Sequence, residues 1–273
     1  MKRILLPALA AIAALSLSSC FQSETVIHLN KDGSGTIVEE TTLGAQMVAM
    51  MSGLGGQGAD AKDPMAEMFS EEKAKEKLPS LGEGVTFVKA EKIDAGGKKG
   101  GRVTYKFADI NKLKMNADGG ASSLADSAPA PEEAKDAVKK EPITFTYAAN
   151  KLTIKLPQPE AKKPAAADAP KAEEAAEAEA NPQAEMMKTM MADMHFTIKV
   201  VADGGISETS ATYAEGDTLT LMDMDFGKIV KNEAAFKKMQ TLDQSDPDAF
   251  KEAFKDVPGL KIETKKEVTA TLK

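Results

Sequence analysis

Apolar and polar residues alternate with a period of two along most of this chain. Thr25, Ile27 and Leu29 alternate with Glu24, Val26, His28 and Asn30. Asp32-Gly33-Ser34-Gly35 then supplies a turn, and Thr36 to Thr42 returns, which predicts a hairpin. Val85 and Phe87, then Val103, Tyr105 and Phe107 across a Gly/Lys-rich turn, repeat the pattern, and Ile143-Phe145-Tyr147 faces Leu152-Ile154-Leu156 across Ala148 to Lys151. Phe196-Ile198-Val200, Ile206 to Tyr213, Thr218 to Met224 and Leu260 to Leu272 continue it, the last as an edge or closing strand. Strands that are apolar on one face only predict an antiparallel sheet with a single covered side.

Helical periods fall between the strands. Ala45 to Ser52 reads as helix, a second opens with Asp63 as N-cap and Pro64 at the first position, and Gly227 to Met239 is a third. A fourth opens at Ser245-Asp246-Pro247-Asp248 and buries Phe250, Phe254 and Val257 before Pro258-Gly259. Met187, Met190, Met191 and Met194 fall at i, i+3, i+4 and i+7, one face of a helix, with Met186 beside them. The expected fold is therefore α+β: about ten strands in a mainly antiparallel, curved sheet, with helices packed on one face.

Two stretches lose the pattern. Residues 116–141, rich in Ala, Ser, Gly, Asp and Pro, read as a surface loop. Residues 157–182 are Ala, Glu, Lys and Pro with almost nothing large and apolar, and cannot offset an ordering cost of about 1–2 kcal/mol per residue, so a disordered insertion is expected. Strands on both sides of it divide the chain into residues 20–156, the 157–182 linker, and residues 183–273, the last completing the same domain or forming a second small one.

The start of the chain is of a different kind. Met1-Lys2-Arg3 is charged, Ile4 to Leu17 is nearly all small and aliphatic, and Leu17-Ser18-Ser19-Cys20 follows. The apolar run is shorter than the roughly 20 residues that span a bilayer, and it reads as a signal peptide, residues 1–19, cut between Ser19 and Cys20. The four residues form a lipobox, and the chain resembles bacterial lipoprotein precursors. That resemblance implies a diacylglyceryl thioether on Cys20, a further acyl chain on the new amino terminus, and a tether that does not span the membrane. Acyl burial at about 0.8 kcal/mol per CH₂ makes two chains a stable anchor. Among diderm lipoproteins of this kind an Asp after the lipidated Cys retains the protein in the inner membrane. Phe21 stands there instead, which implies the outer membrane, facing the periplasm.

Composition narrows the partners. The formal charge is −7, and becomes −9 once Lys2 and Arg3 leave with the signal, with no basic cluster to face phosphate. No nucleic acid is expected as a partner. Cys20 is the single cysteine, so no disulfide is expected in the mature chain. With no Trp and 15 Met, packing is expected to rely on flexible side chains.

Reactive constellations are sparse. His28 and His195 are the two histidines, both on polar strand faces, and no catalytic residue or metal ligand is assigned. Asp223 and Asp225 share a strand face and could serve acid–base work in a carboxylate-dependent hydrolase. Gly53-Leu54-Gly55-Gly56-Gln57-Gly58 has the spacing of a dinucleotide fingerprint but follows a helix, where such a motif needs a buried parallel strand, so no cofactor is assigned. The methionine stripe is either a packed helix face, the wall of an apolar ligand pocket, or a set of soft ligands for copper(I).

In the order of its elements, with the lipobox, the Asp-Gly hairpin after it and the late Phe196 to Met224 strands, the chain resembles the LppM-like lipoprotein domain. That resemblance implies a curved sheet and helices around an apolar cavity, and lipid or glycolipid binding. The 157–182 insertion departs from that compact pattern. The expected function is a non-enzymatic, membrane-tethered envelope protein that binds a lipid-like ligand or another envelope component. The alternative is an assembly lipoprotein with a solid core and a protein interface.

Overall fold

The computed structural model describes residues 21–45, 47–49, 68–95, 98–117, 141–158, 191–234, 236 and 257–273. Within them lie thirteen strands in two sheets. The first two, β1 (Phe21–Leu29) and β2 (Gly35–Leu43), form the expected hairpin. Its turn is closed by Asp32, whose Oδ1 accepts from the Ser34 N–H at 2.9 Å, while Gly33 takes φ 84°, a left-handed value that glycine reaches without strain. Two short helices follow, α1 (Glu71–Glu76), capped by Ser70, and α2 (Leu78–Leu81). Then come β3 (Thr86–Ala95) and β4 (Lys98–Phe107), a single 3₁₀ turn, and β5 (Lys114–Met115). The hairpin β6 (Ile143–Ala148) and β7 (Lys151–Lys155) turns through Ala149 and Asn150, both at positive φ, as a two-residue loop matched to strand twist requires.

Beyond the Ala/Glu/Pro tract the chain runs β8 (Met194–Ala202), β9 (Ile206–Thr209), β10 (Ala214–Glu215), β11 (Thr218–Asp225), α3 (Phe226–Lys231), β12 (Leu260–Ile262) and β13 (Glu267–Leu272). The large sheet has the order β10-β11-β8-β1-β2-β4-β3, with β12 beside β11, and the small one β5-β6-β7-β13-β9. Strands from both sides of the tract are neighbours in each sheet: β8 lies against β1, and β13 against β7.

Three expectations change. The sheet is mixed, because β8 runs parallel to β1, Phe21 opposite Met194 through Leu29 opposite Ala202. Alternation is the same for either direction, so periodicity could not show it. The strand expected over Ile206 to Tyr213 stops at Thr209 as β9, in the small sheet, and β10, which begins only at Ala214, pairs in the large one. The terminal stretch bends between β12 and β13, and β13 is interior, paired with β7 and β9. Whether a strand is an edge depends on its neighbours, which its own residues do not state.

One buried cluster takes side chains from both sheets, Phe21, Ile27, Leu29, Ile37 and Tyr105 from the large one and Phe145, Ile154, Val268 and Leu272 from the small. The sheets meet at the β1–β2 turn, where Tyr147 Oη donates to the Lys31 carbonyl at 3.0 Å and Ile110 N–H to that of Gly33 at 2.9 Å. Of the expected helical cover, α1 reaches the inner face of the large sheet, with Tyr105 Oη donating to the Ala74 carbonyl at 3.3 Å. Beside it the ring of Phe69 sits so close over Gly101 that a Cβ there would lie 2.7 Å from it. The helix expected from Asp63 to about Leu78 is described only from residue 68, where a new N-cap at Ser70 opens α1; the helix expected from Ser245, up to residue 256, and the Gly53 to Gly58 stretch lie outside the described residues.

The two crossings between sheets, residues 210–213 and 263–266, are held by one buried carboxylate. Glu263, 5% exposed, accepts from the Thr212 N–H at 2.6 Å, the Thr212 hydroxyl at 3.0 Å and the Lys265 N–H at 3.2 Å. Lys265 Nζ in turn donates to the Ser210 carbonyl.

Glu263→Ala leaves those donors without their acceptor, and a loss of about 2–3 kcal/mol is expected as a lower urea midpoint at unchanged slope. Thr42 offers the opposite case, since its hydroxyl is buried with no hydrogen-bond partner among the described residues. Thr42→Val is expected to be neutral or to stabilise by up to about 1 kcal/mol in the same titration.

Candidate functional site

The residues singled out by sequence are unevenly placed. Ser19, Cys20, Met187 and Met190 lie outside the described residues. Met191 is helical and half-buried, but Met194 is the first residue of β8, half-buried and packed against the core. The stripe therefore does not continue on one helix face to its i+7 member. At Asp193, whose carbonyl accepts from the Phe21 N–H at 3.1 Å, the chain has already joined the sheet.

Met194 begins a line of inward residues on β8, followed by Phe196 and Ile198, and this line borders an unexpected polar block. The inner face of β1 carries Phe21, Ser23, Thr25, Ile27 and Leu29, all buried, with Ser23 and Thr25 each 5% exposed. Register puts Ser23 opposite Thr41 and Thr25 opposite Glu39 on β2, and opposite Phe196 and Ile198 on β8. Three hydroxyls and a carboxylate thus form a two-by-two patch within an otherwise apolar face. Lys77, at the α1–α2 junction, closes over it, with Nζ 2.7 and 2.8 Å from the two Glu39 oxygens. Burial pushes the Tyr105 hydroxyl pKa up, with Glu39 adding to the effect. The wall on the β8 side is aromatic: Phe21 and Phe196 lie 5.3 Å apart and Phe196 and Phe226 6.1 Å. The block was legible in outline, because the parity that buries Ile27 and Leu29 also turns Ser23 and Thr25 inward.

The outer face is charged and internally matched. Across β8, β1, β2, β4 and β3 run the rows Lys199-Val26-Val38-Thr104-Lys89 and Thr197-Glu24-Glu40-Arg102-Glu91. Lys199 pairs with Glu24 at 2.8 Å, Arg102 with Glu40 at 2.6 Å and Lys89 with Glu91 at 2.9 Å, over a shallow groove containing Val26 and Val38. Pairs this exposed contribute little to stability.

His28 is exposed, as expected, but His195 is not a free surface residue. Its Nε2–H donates to Asp223 Oδ1 at 2.7 Å, and Thr197 Oγ1 lies 3.4 Å from the same nitrogen. A catalytic triad needs the carboxylate on one ring nitrogen and the hydroxyl on the other. Here Nε2 holds a proton for Asp223 and has no lone pair for Thr197. The hydrogen bond to Asp223 raises the His195 pKa against the opposing effect of burial, and the same bond lowers that of Asp223. Asp225 caps α3, accepting from the Lys228 N–H at 3.1 Å and pairing with Lys228 Nζ at 2.9 Å. Burial pushes its pKa up, but the bonds and charge of Lys228 outweigh this and hold it low. The two aspartates are thus committed to separate partners, Asp223 to His195 and Asp225 to Lys228. Among the described residues no group of three or more His, Cys, Asp or Glu side chains could hold a metal ion.

The pair makes stability depend on pH with a definite sign. The His195 pKa is raised above its ordinary 6.5, so its contribution is whole below 6.5 and fades as pH climbs through the folded-state value. Asp223 is held below 3.8, so its contribution persists above 3.8 and fails as pH falls through the folded-state value. The stability lost in Asp223→Asn is therefore expected to be largest between about pH 4 and 6.5 and to shrink at higher pH, measured by urea unfolding at stepped pH. A pH-independent difference would contradict the pairing.

No family model matches the chain, and no curated protein matches it. Among solved structures, the NMR structure of the folded domain of LppM from Mycobacterium tuberculosis is similar at a TM-score of 0.33 and 9% identity, over 77% of this chain and 85% of that domain.

Proposed function

We propose that this chain is a lipid-tethered protein of the bacterial envelope, held through Cys20 in the outer membrane, and that it works by binding an amphiphile without covalent chemistry. The observation that carries the tether is Leu17-Ser18-Ser19-Cys20 behind a short apolar run, with β1 starting at the next residue. Among the described residues no helix is long and apolar enough to cross a membrane. The binding reading draws on the inner face of the large sheet, where the apolar side chains of Met194, Phe196 and Phe226 lie on the same face as the hydroxyls of Ser23, Thr25 and Thr41, so that a ligand would displace part of this packing. Such a surface suits a molecule with an apolar body and a hydrogen-bonding head. No cofactor and no nucleic acid belong to this reading.

A second reading, an assembly lipoprotein with a solid core, draws on the packing of Met194 against the buried cluster. It places the partner surface on the outer charged rows.

Intact mass of the chain recovered from bacterial membranes tests the tether. The wild type is expected to carry the added mass of diacylglycerol and a third acyl chain, and Cys20→Ser to carry none and to lose membrane attachment; equal masses would contradict it. Native mass spectrometry of the lipidated protein tests the ligand. A copurifying lipid-sized mass is expected, falling several-fold in Thr25→Val/Thr41→Val, whereas a clean apo mass after exposure to a lipid extract would favour the solid core.

A further inference from the structure

The passage from anchor to fold has no linker. Cys20 is one peptide from Phe21, so their Cα atoms are about 3.8 Å apart. Phe21 is already the first residue of β1, 1% exposed, with its N–H bonded to the Asp193 carbonyl. A lipoprotein with a flexible stalk can tumble above the bilayer, whereas acyl chains on Cys20 would be attached directly to the end of a rigid strand. That strand is the middle one. In the path β10-β11-β8-β1-β2-β4-β3, three strands lie to each side of β1. The tether therefore leaves from the centre of one end of the large sheet, with no corner for the sheet to tip over.

From this we infer that the protein stands end-on upon the membrane, resting on the end of the large sheet at which β1 begins, and that this end is a contact surface for phospholipid headgroups. The inference rests on the acylation of Cys20 proposed above. Register identifies the residues at that end: Phe21 lies opposite Leu43 and Met194, and Leu43 opposite Lys99. The β3–β4 hairpin projects there, carrying Lys98 and Lys99 at its tip and Lys92 behind them. None of these three lysines is ion-paired among the described residues, in contrast to Lys77, Lys89, Lys112, Lys199 and Lys228, which all are. Lys98 Nζ does bond the neutral Gln22 side chain at 3.0 Å, which leaves its charge uncompensated. Ammonium groups beside the acyl anchor are placed to meet lipid phosphates.

The opposite end is carried well clear of the bilayer. Nine residues of β1 at about 3.3 Å each put Leu29 roughly 26 Å from Phe21, and Asp203, whose N–H bonds the Leu29 carbonyl, shares that height. The inner polar block lies close to the membrane end, two and four residues along β1 from Phe21, where an amphiphile could enter from the bilayer without crossing water.

The test is depth-dependent fluorescence quenching on the full lipidated chain in vesicles of phosphatidylcholine and phosphatidylglycerol with brominated acyl chains. Acylated Cys20 has no free thiol, so single labels can be placed by Lys99→Cys, Glu91→Cys and Asp203→Cys, each an exposed position, and acylation of every variant is checked by intact mass. Quenching several-fold stronger at 99 than at 203, with 91 between them, is expected. Equal quenching at 99 and 203 in an acylated chain means the sheet lies flat or tumbles, and overturns the orientation alone. Absence of acyl mass on Cys20 overturns the tether and the orientation with it.

Discussion

The pairing of β1 with strands on both sides is the constraint on which this fold depends. On one flank β1 forms an antiparallel hairpin with β2, a local contact closed by a five-residue connection. On the other it is parallel to β8, more than 160 residues later in the chain (Phe21 opposite Met194). Only the second contact fixes the late strands to the early ones in the large sheet. Parallel strands need a crossover connection, and here that connection includes the small-sheet hairpin β6–β7 and the Ala/Glu/Pro tract. Closing so long a loop costs entropy that rises only slowly with length, so a long tract is tolerated between strands that remain neighbours.

The two faces of the large sheet solve different problems. Outside, Glu24 and Glu40 lie opposite each other and each is matched by a base, Lys199 and Arg102, in pairs exposed enough that their main effect is on solubility and register. Inside, apolar side chains from both sheets share one cluster, interrupted by Ser23, Thr25, Glu39 and Thr41. A polar block on a covered face costs free energy unless its groups find partners. Glu39 finds Lys77. The hydroxyls give the inner face a chemical direction that a uniformly apolar core lacks.

Hydrogen bonding at Glu263 and His195 shows how single side chains settle questions that patterns leave open. Glu263 sits in a stretch that reads as one continuing strand, yet its carboxylate gathers the backbone where the chain passes between sheets, dividing that stretch into β12 and β13. His195 occupies the polar face predicted for it, but its partner is Asp223 across the β8–β11 pair, and both of its close contacts fall on one nitrogen. Residue type and spacing allowed Asp223 and Asp225 to act together. Their actual partners, His195 and Lys228, assign them separately to strand pairing and to helix capping.

The sequence by itself determined where most of the longer strands lie and which side of them is covered, because alternation is a property of consecutive residues and needs no knowledge of neighbours. It determined the Asp32-Gly33 turn and the Ala149-Asn150 hairpin for the same local reason, and it alone carries the Leu17-Ser18-Ser19-Cys20 motif. Only the tertiary structure decided that β8 runs parallel to β1, that β9 and β10 belong to different sheets, that β13 is interior and that Met194 opens a strand instead of ending a helix face. Strand direction, sheet membership and edge position all depend on which distant segment supplies the facing hydrogen bonds. The amphipathic pattern is the same whichever segment that is.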